Sequence, residues 1–276
     1  MAVENMVAIV TGATKGIGAA VAERFAAEGA RLTICSRNAE DIASCADDLN
    51  RRFGDGATIA VGRTCDIEKK DELEQLVALT LETWGRIDAL VCVASTLPWF
   101  GPTMEMPEEA VDQQFAAVFK SKFWLSRAVI PTMIAQGGGS IVYIASGSVA
   151  EASTERCIYA CARAAELQLM KNLAAEFGHL NIRINAVSPG MIRSFQTAPL
   201  YADEAVYRKF TAGVPMQRGG EPEEIAAASW FLAGAESSYT TGCVLTVDGG
   251  RLLHMKPKNL AGALAANATD QGRGLG

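Results

Sequence analysis

Short apolar segments alternate along the chain with longer segments whose apolar residues recur at helical spacing. The predicted strands cover residues 7–11, 31–35, 58–64, 89–94, 140–146, 182–187 and 244–249. The predicted helices between them include residues 17–28, 69–84, 108–135, 154–178 and 222–234. This alternation predicts an α/β fold, a doubly wound parallel sheet of seven strands (Rossmann-type) with helices on both faces. Nearly continuous apolar strands further predict that both faces of the sheet are buried.

Two segments fall outside this alternation. The linker at about 190–215 is long for a compact α/β domain, which predicts a lid over an apolar pocket. Its aromatic residues are Phe195, Tyr201, Tyr207 and Phe210. Residues 1–250 show no compositional break, so we expect a single domain followed by a C-terminal extension at 251–276. We expect that extension to pack near the substrate pocket, because it carries Leu252, Leu253, Met255, Leu260 and Leu264.

Composition narrows the class of protein. The chain has 276 residues, 49% of them hydrophobic, which is enough for a substantial core. A net charge of −6 without a Lys/Arg cluster argues against nucleic-acid binding and favours a small-molecule substrate. Seven Cys form no CxxC pair and only two His are present, which argues against a metal site. No apolar run approaches the roughly 20 residues of a membrane span, so we expect a cytoplasmic protein with no membrane partner.

A glycine-rich turn follows the first predicted strand. The segment "TGATKGIG" at residues 11–18 leads directly into a predicted helix. Glycines at such a turn let the backbone approach a pyrophosphate, and the helix N-terminus supplies unpaired N–H groups. The strand, turn and helix together predict dinucleotide binding. The residues expected to contact the nucleotide here are Gly12, Thr14, Lys15, Gly16, Ile17 and Gly18.

The ends of the second and third predicted strands bear on the choice of cofactor. An acidic residue after the second strand would bind the ribose hydroxyls of NAD, but this chain has Ser36 and Arg37. Arg pairs bidentately with a 2′-phosphate and Lys15 adds a second cation, so we predict NADP(H) as cofactor, NADPH in its reduced form. The third strand ends in Cys65, Asp66 and Ile67. Asp66 could accept a hydrogen bond from the adenine amino group or cap the following helix.

Further motifs make residues 5–250 resemble the short-chain dehydrogenase/reductase family. They are "TGATKGIG", "CDI", "SIVYIAS", "INAVSPG" and the closing "EEIAAASWFLAGAESSYTTGCVLTVDGG". The resemblance implies a catalytic Ser and Tyr at Ser146 and Tyr159, with Arg163 where the family has Lys. It also implies that "SPGMIRS" lies over the nicotinamide. The further cofactor contacts implied in this way are Ala94, Tyr159, Arg163, Pro189, Gly190, Ile192 and Ser194.

Three positions depart from the family pattern. The Asn-Asn-Ala-Gly sequence after the fourth strand reads "CVAS" at 92–95, and the helix Asn that holds a proton-relay water aligns with Val118. The third departure is Arg163. A guanidinium supplies a positive charge but essentially never loses its proton, so it cannot pass a proton as an ammonium can. We therefore expect proton exchange between Tyr159 and solvent to be impaired or to take another route.

The leading hypothesis is an NADP(H)-dependent oxidoreductase that interconverts a carbonyl and a secondary alcohol on a small apolar or aromatic substrate. In the family mechanism Tyr is the acid/base and Ser binds the substrate oxygen, which here means Tyr159 and Ser146. Free tyrosine has a pKa of about 10, so a neighbouring cation is needed near neutral pH, and Arg163 would supply it.

Two other functions stay open. A Ser-Tyr-Arg site also resembles that of the halohydrin dehalogenases, which would imply a cofactor-independent lyase using Ser146, Tyr159 and Arg163. The third hypothesis is a cofactor-binding protein with little catalysis. For all three, the apolar helices at 108–135 and 154–178 together with the family resemblance imply a homotetramer or homodimer.

Overall fold

Seven parallel strands form one sheet in the computed structural model, which describes residues 6–152, 155–195 and 197–253. The strands are β1 (Val7–Thr11), β2 (Arg31–Ser36), β3 (Ala60–Thr64), β4 (Ala89–Cys92), β5 (Gly139–Ile144), β6 (Ile182–Pro189) and β7 (Val244–Val247). Their spatial order is β3-β2-β1-β4-β5-β6-β7, with Val10 of β1 paired to Ile34 and Val91. This confirms the predicted doubly wound sheet. The strand order reverses between β1 and β4, where ligands of such sheets bind at the carboxyl ends of the strands.

Helices cover both faces of the sheet. They are α1 (Gly16–Ala27), α2 (Ala39–Phe53), α3 (Lys70–Trp84), α4 (Glu108–Phe115), α5 (Ser121–Ala135), α6 (Cys157–Phe177), α7 (Ala198–Ala202), α8 (Glu204–Thr211) and α9 (Pro222–Ala233). Successive strand residues point to opposite faces, so Val10 lies in the core beneath α1 and α9, and Ile9 in the core beneath α3 and α5. Two hydrophobic cores, one on each side of the sheet, therefore hold the site's elements in place.

The structure corrects two of the sequence expectations for the fold. The edge strands β3 and β7 are only partly buried, because each has a neighbouring strand on one side only. The helix predicted over 108–135 is divided by a π-helical turn, Ala116–Lys120, between α4 and α5. The predicted lid contains the short helices α7 and α8, and its Phe195 is 86% exposed; its role as a lid stays a prediction.

The start of the C-terminal extension lies beside the carboxyl end of β5. A Cβ built on Gly147 would lie 3.9 Å from Leu252 Cδ1, whereas the Leu253 side chain is exposed. Met255, Leu260 and Leu264 lie outside the described residues.

Within the described ranges, no helix is both long and apolar enough to cross a bilayer. The same residues contain no group of three or more His, Cys, Asp or Glu side chains placed to hold a metal ion.

Candidate active site

The glycine-rich turn forms a closely packed backbone cradle at the start of α1. Gly12 and Gly16 have φ values of +68° and +55°, the left-handed region that favours glycine. A Cβ on Gly18 would lie 2.0 Å from the Gly12 carbonyl oxygen, so only glycine fits there. Lys15 at the N-cap makes no side-chain capping bond, which leaves the first N–H groups of α1 without that partner. This arrangement fits a pyrophosphate.

Residues from two other segments lie against this cradle. Thr11 Oγ1 accepts hydrogen bonds from the backbone N–H groups of Val93 and Ala94, both at 3.0 Å, which ties β1 to the end of β4. A Cβ on Gly12 would lie 3.0 Å from Ala94 Cα, and one on Gly16 would lie 3.5 Å from Ser194 Cβ. The structure thus brings the predicted cofactor residues of the turn, of the segment after β4 and of the segment after β6 to one place.

The other predicted residues lie along the same carboxyl edge of the sheet, with different exposure. Pro189 ends β6 and Gly190 follows it, close to Asp248 after β7. The side chains of Cys65 and Ile192 are buried in the hydrophobic cores, and that of Ile17 is partly buried against one of them. Thr14 and Ile67 are half-buried.

The residues predicted to distinguish NADP(H) from NAD(H) have different surroundings. Ser36 Oγ donates to the Asn38 carbonyl at 3.1 Å, and Arg37 is exposed with no ion-pair partner among the described residues. Lys15 Nζ lies 2.9 Å from Asp41 Oδ2 in α2. Its charge is therefore already paired with a carboxylate, which sequence reasoning did not foresee.

Asp66 does not cap a helix, so that alternative was wrong. Helix α3 begins at Lys70 with Lys69 as its N-cap. The Asp66 carboxylate instead accepts a hydrogen bond from the Glu68 backbone N–H at 3.1 Å, within the turn that precedes the helix. The side chain is half-buried at the carboxyl edge of the sheet, and an adenine contact stays a prediction.

The predicted catalytic residues lie where β5 ends against α6. Ser146 follows β5 and caps the short turn Gly147–Val149, with Oγ accepting from the Ser148 N–H at 3.3 Å. That turn packs on α6, which carries Tyr159 and Arg163 one helical turn apart. The Arg163 Cζ lies 5.0 Å from the centroid of the half-buried Tyr159 ring, within cation–π distance.

Arg163 is only 4% exposed, and its guanidinium joins three parts of the protein. Nη1 donates to the Ile144 carbonyl and to Glu166 Oε1, both at 2.8 Å, and Nη2 donates to Ser95 Oγ at 3.0 Å. Nε has no hydrogen-bond partner among the described residues. Burial is the largest single influence and lowers the pKa of Arg163, but Glu166 and Tyr159 together outweigh it, so that the pKa of Arg163 is raised.

Sequence reasoning missed two charged residues behind Arg163. Glu166 is fully buried, and its Oε2 lies 3.0 Å from Nζ of Lys122, which is 1% exposed. Lys122 Nζ also donates to the Val118 carbonyl at 3.1 Å, in the π-helical turn. The available signals were the i,i+3 spacing of Glu166 from Arg163 and a lysine one turn after Val118. Neither signal distinguishes a buried charge from a solvated one.

The side chains around these charges are neutral. Burial raises the pKa of the Cys92 thiol to about 12, even though Lys122 acts in the opposite direction. Burial also raises the pKa of Tyr143, whose hydroxyl lies 2.5 Å from Ser126 Oγ. Lys122, Arg163 and Glu166 are therefore the charged members of this buried cluster, which we call the charge triad.

The fold and this site together define a Rossmann-type dinucleotide-binding protein with a Ser-Tyr-Arg group at the sheet edge. The family described as "Enoyl-(Acyl carrier protein) reductase" matches residues 12–251. The bovine (Bos taurus) protein named "Dehydrogenase/reductase SDR family member 4" is 35% identical over 252 residues, covering 91% of this chain and 89% of the relative. An "Uncharacterized oxidoreductase" of Thermotoga maritima is also 35% identical, over 90% of this chain and 97% of its own.

Solved structures agree with these sequence matches. A 7α-hydroxysteroid dehydrogenase complexed with NADH and 7-oxo glycochenodeoxycholic acid superposes with a TM-score of 0.84 at 31% identity, covering 90% of this chain and 94% of its own. The L-sorbose reductase of Gluconobacter frateurii, complexed with NADPH and L-sorbose, gives 0.85 at 29% identity, covering 91% and 98%. The chain belongs to the short-chain dehydrogenase/reductase family. It is an oxidoreductase of a fold that binds nicotinamide cofactors.

Proposed function

We propose that this protein is an NADP(H)-dependent oxidoreductase that interconverts a carbonyl and a secondary alcohol, with Tyr159 as acid/base. The observation that carries the proposal is the stacking of the Arg163 guanidinium on Tyr159, 5.0 Å from the ring centroid, at the sheet edge that also holds the glycine cradle. A fixed cation beside the phenol favours its charged form. A cofactor-independent lyase would not need a cradle that only glycine fits.

Each residue of the proposed site has a separate role. Tyr159 gives its proton to the carbonyl oxygen during reduction and takes it back during oxidation. Ser146 Oγ accepts only a local backbone bond at 3.3 Å, so its O–H remains able to donate to the substrate oxygen. Arg163 stabilises the phenolate, and its contact with the nicotinamide ribose stays a prediction. When bound, the nicotinamide supplies or accepts the hydride.

The preference for NADP(H) rests on Arg37, which is exposed at the end of β2 and has no competing carboxylate among the described residues. Lys15 supports this less than its position suggests, because Asp41 already pairs with it at 2.9 Å. The two superposed enzymes do not decide the matter, since one is titled with NADH and the other with NADPH. Arg37 is the residue in this chain whose chemistry favours the 2′-phosphate.

A small apolar or aromatic substrate remains part of the proposal, and Leu252 beside Ser146 supports it. Leu252 lies close to Gly147, the residue after the serine. Arg251 pairs with Glu151 at 3.1 Å and stacks on Phe210, with its Cζ 5.0 Å from the ring centroid. These contacts join the start of the C-terminal extension, α8 and the segment after β5 around one side of the site. Assembly as a homodimer or homotetramer and a cytoplasmic location stay predictions.

Steady-state kinetics of Tyr159→Phe test the proposed function. With NADPH and a panel of aromatic and aliphatic ketones, kcat should fall by about 10²–10⁴, the usual contribution of a positioned acid/base. Ser146→Ala should also lower kcat. The matched control is Tyr239→Phe, which removes the hydroxyl of a fully exposed tyrosine and should leave kinetics unchanged.

Two outcomes would contradict the proposal. Full activity in Tyr159→Phe would remove Tyr159 from the chemistry. Halide release from vicinal halohydrins without cofactor, together with no ketone reduction, would replace the oxidoreductase by the lyase.

A further inference from the structure

Three charged side chains are buried together beneath Tyr159. Lys122, Arg163 and Glu166 are 1%, 4% and 0% exposed, respectively. Two cations and one carboxylate leave the charge triad with one net positive charge. Burying ions costs free energy that their mutual attraction often fails to recover, so a buried triad is weak support for a purely stabilising role. Its position next to the proposed acid/base suggests a role in the chemistry.

Glu166 is shared between the two cations. Its Oε1 lies 2.8 Å from Arg163 Nη1, and its Oε2 lies 3.0 Å from Lys122 Nζ. Arg163 Nη1 is thereby held toward Glu166 and the Ile144 carbonyl, on the inner side of α6. The Arg163 Cζ lies 5.0 Å from the Tyr159 ring centroid. The carboxylate therefore determines where the cation lies relative to the phenol.

Lys122 changes the charge balance of this arrangement. An isolated pair of Glu166 and Arg163 would be neutral overall, and the phenolate would lose most of the stabilisation that a cation provides. The Lys122 ammonium offsets the carboxylate. It is held in the core by its bond to the Val118 carbonyl, in the π-helical turn between α4 and α5.

The other groups packed against the triad do not carry charge. Cys92 of β4 and Tyr143 of β5 stay neutral because burial raises the pKa of each, and Ser95 and Ser126 are hydroxyls. Glu155 and Arg156 directly precede α6, and their opposite charges add no net charge. The charge next to Tyr159 therefore depends on the three members of the triad.

We propose that Lys122 and Glu166 are positioning residues that set the charge beside Tyr159: Glu166 orients Arg163, and Lys122 offsets Glu166 so that one net positive charge remains. This inference rests on the proposed role of Tyr159 as acid/base. Neither residue needs to touch substrate or cofactor. Both act through Arg163.

Two single variants should move the pH dependence in opposite directions. Lys122→Met lowers the net charge of the triad from +1 to 0, and Glu166→Gln raises it to +2. For alcohol oxidation, where activity rises as the phenol ionises, the midpoint of the kcat/KM profile should move up in Lys122→Met and down in Glu166→Gln. Each shift should be about one pH unit, the lower end of the effect of a nearby charge. A purely structural role would move both midpoints in the same direction or not at all.

The conservative and double variants complete the design. Lys122→Arg keeps the charge and should leave the midpoint unchanged. The double variant Lys122→Met/Glu166→Gln keeps a net charge of +1, carried by Arg163 alone. The midpoint of its pH profile should therefore lie close to that of the unmodified protein. If Lys122→Met does not fold, the midpoints of Glu166→Gln and of the double variant still test whether Lys122 changes the charge beside Tyr159. Equal midpoints in those two would overturn the proposal.

A spectroscopic titration separates this inference from the proposed function. The near-ultraviolet absorption of tyrosinate, taken as the difference between each protein and its Tyr159→Phe counterpart, follows Tyr159 without substrate or cofactor. If the tyrosinate midpoints of Lys122→Met and Glu166→Gln move in opposite directions while the unmodified protein reduces no ketone, the triad proposal is supported and the role of Tyr159 in an oxidoreductase is refuted. Active enzyme whose tyrosinate midpoints do not separate would overturn the triad proposal and leave the proposed function intact.

Discussion

The two halves of the candidate site are built in different ways. At the nucleotide half, the turn from Gly12 to Gly18 is shaped mainly by backbone, with positive φ values and a close approach of the turn to itself. At the catalytic half, Tyr159 and Arg163 depend on side chains from separate segments, among them Ser95, Lys122 and Glu166. One half is local in sequence and built from backbone, and the other is assembled from side chains of separate segments, most of them charged.

This difference explains where the chain departs from its family's pattern. A backbone cradle has few alternatives, because a Cβ at Gly18 would overlap a carbonyl oxygen. A network of charged side chains has several alternative arrangements, because a cation lost at one position can be supplied from another. All three departures lie at the charge triad: Arg163 is one of its members, Val118 accepts from Lys122 through its carbonyl oxygen, and Ser95 of "CVAS" accepts from Arg163. Substitutions in the catalytic half can therefore compensate one another, and those in the cradle cannot.

The largest effect should come from breaking the cradle with Gly18→Ala. The added Cβ would lie 2.0 Å from the Gly12 carbonyl oxygen, and backbone cannot move away as a flexible side chain can. The free energy of unfolding should fall by about 3 kcal/mol, the upper end for overpacking, and NADPH binding should be lost. Denaturant unfolding and cofactor fluorescence measure the two effects.

The matched control is Gly178→Ala at the C-terminus of α6. Gly178 has φ −58° and no atom within 4 Å of a built Cβ, so alanine fits without strain. It should be neutral or stabilise by up to about 1 kcal/mol. If both alanine variants bind NADPH equally well, the turn does not form the nucleotide site.

A smaller effect, on specificity alone, is expected from Arg37→Asp. Losing a charge-assisted contact to the 2′-phosphate should weaken NADPH binding by about 10–100-fold, from 1.5–3 kcal/mol, and the new carboxylate should favour NADH. Fluorescence titration with both cofactors measures the ratio. Lys171→Asp in α6, which alters net charge equally at an exposed lysine, should leave that ratio unchanged. An unaltered ratio in Arg37→Asp would refute the assignment.

The contrast between local backbone structure and contacts of distant side chains also separates what the sequence predicts from what it does not. The sheet, its order of elements and the glycine turn follow from local patterns, and the structure confirms the sheet. The π-helical turn at Ala116–Lys120 was missed, because the apolar spacing of 108–135 reads as one helix. The Lys122–Glu166 contact joins two helices, and a single sequence gives no signal for such a pairing. The sequence predicts that Lys15 can bind a phosphate, because it gives no signal that Lys15 pairs with Asp41 in the next helix.

The smallest expected effect concerns that pair and sharpens the picture of the nucleotide half. Asp41→Asn removes the carboxylate 2.9 Å from Lys15 Nζ and releases the ammonium, which is 69% exposed, toward a 2′-phosphate. NADPH should bind more tightly by no more than about fivefold, the upper value for an exposed ion pair, and NADH affinity should not change. The gain should shrink at high salt, because exposed charges are screened. Adding Lys15→Met to Asp41→Asn should abolish it. An equal gain for NADH would mean that Asp41 acts on the adenosine site in general, and Arg37 would then be the cation on which the choice of cofactor depends.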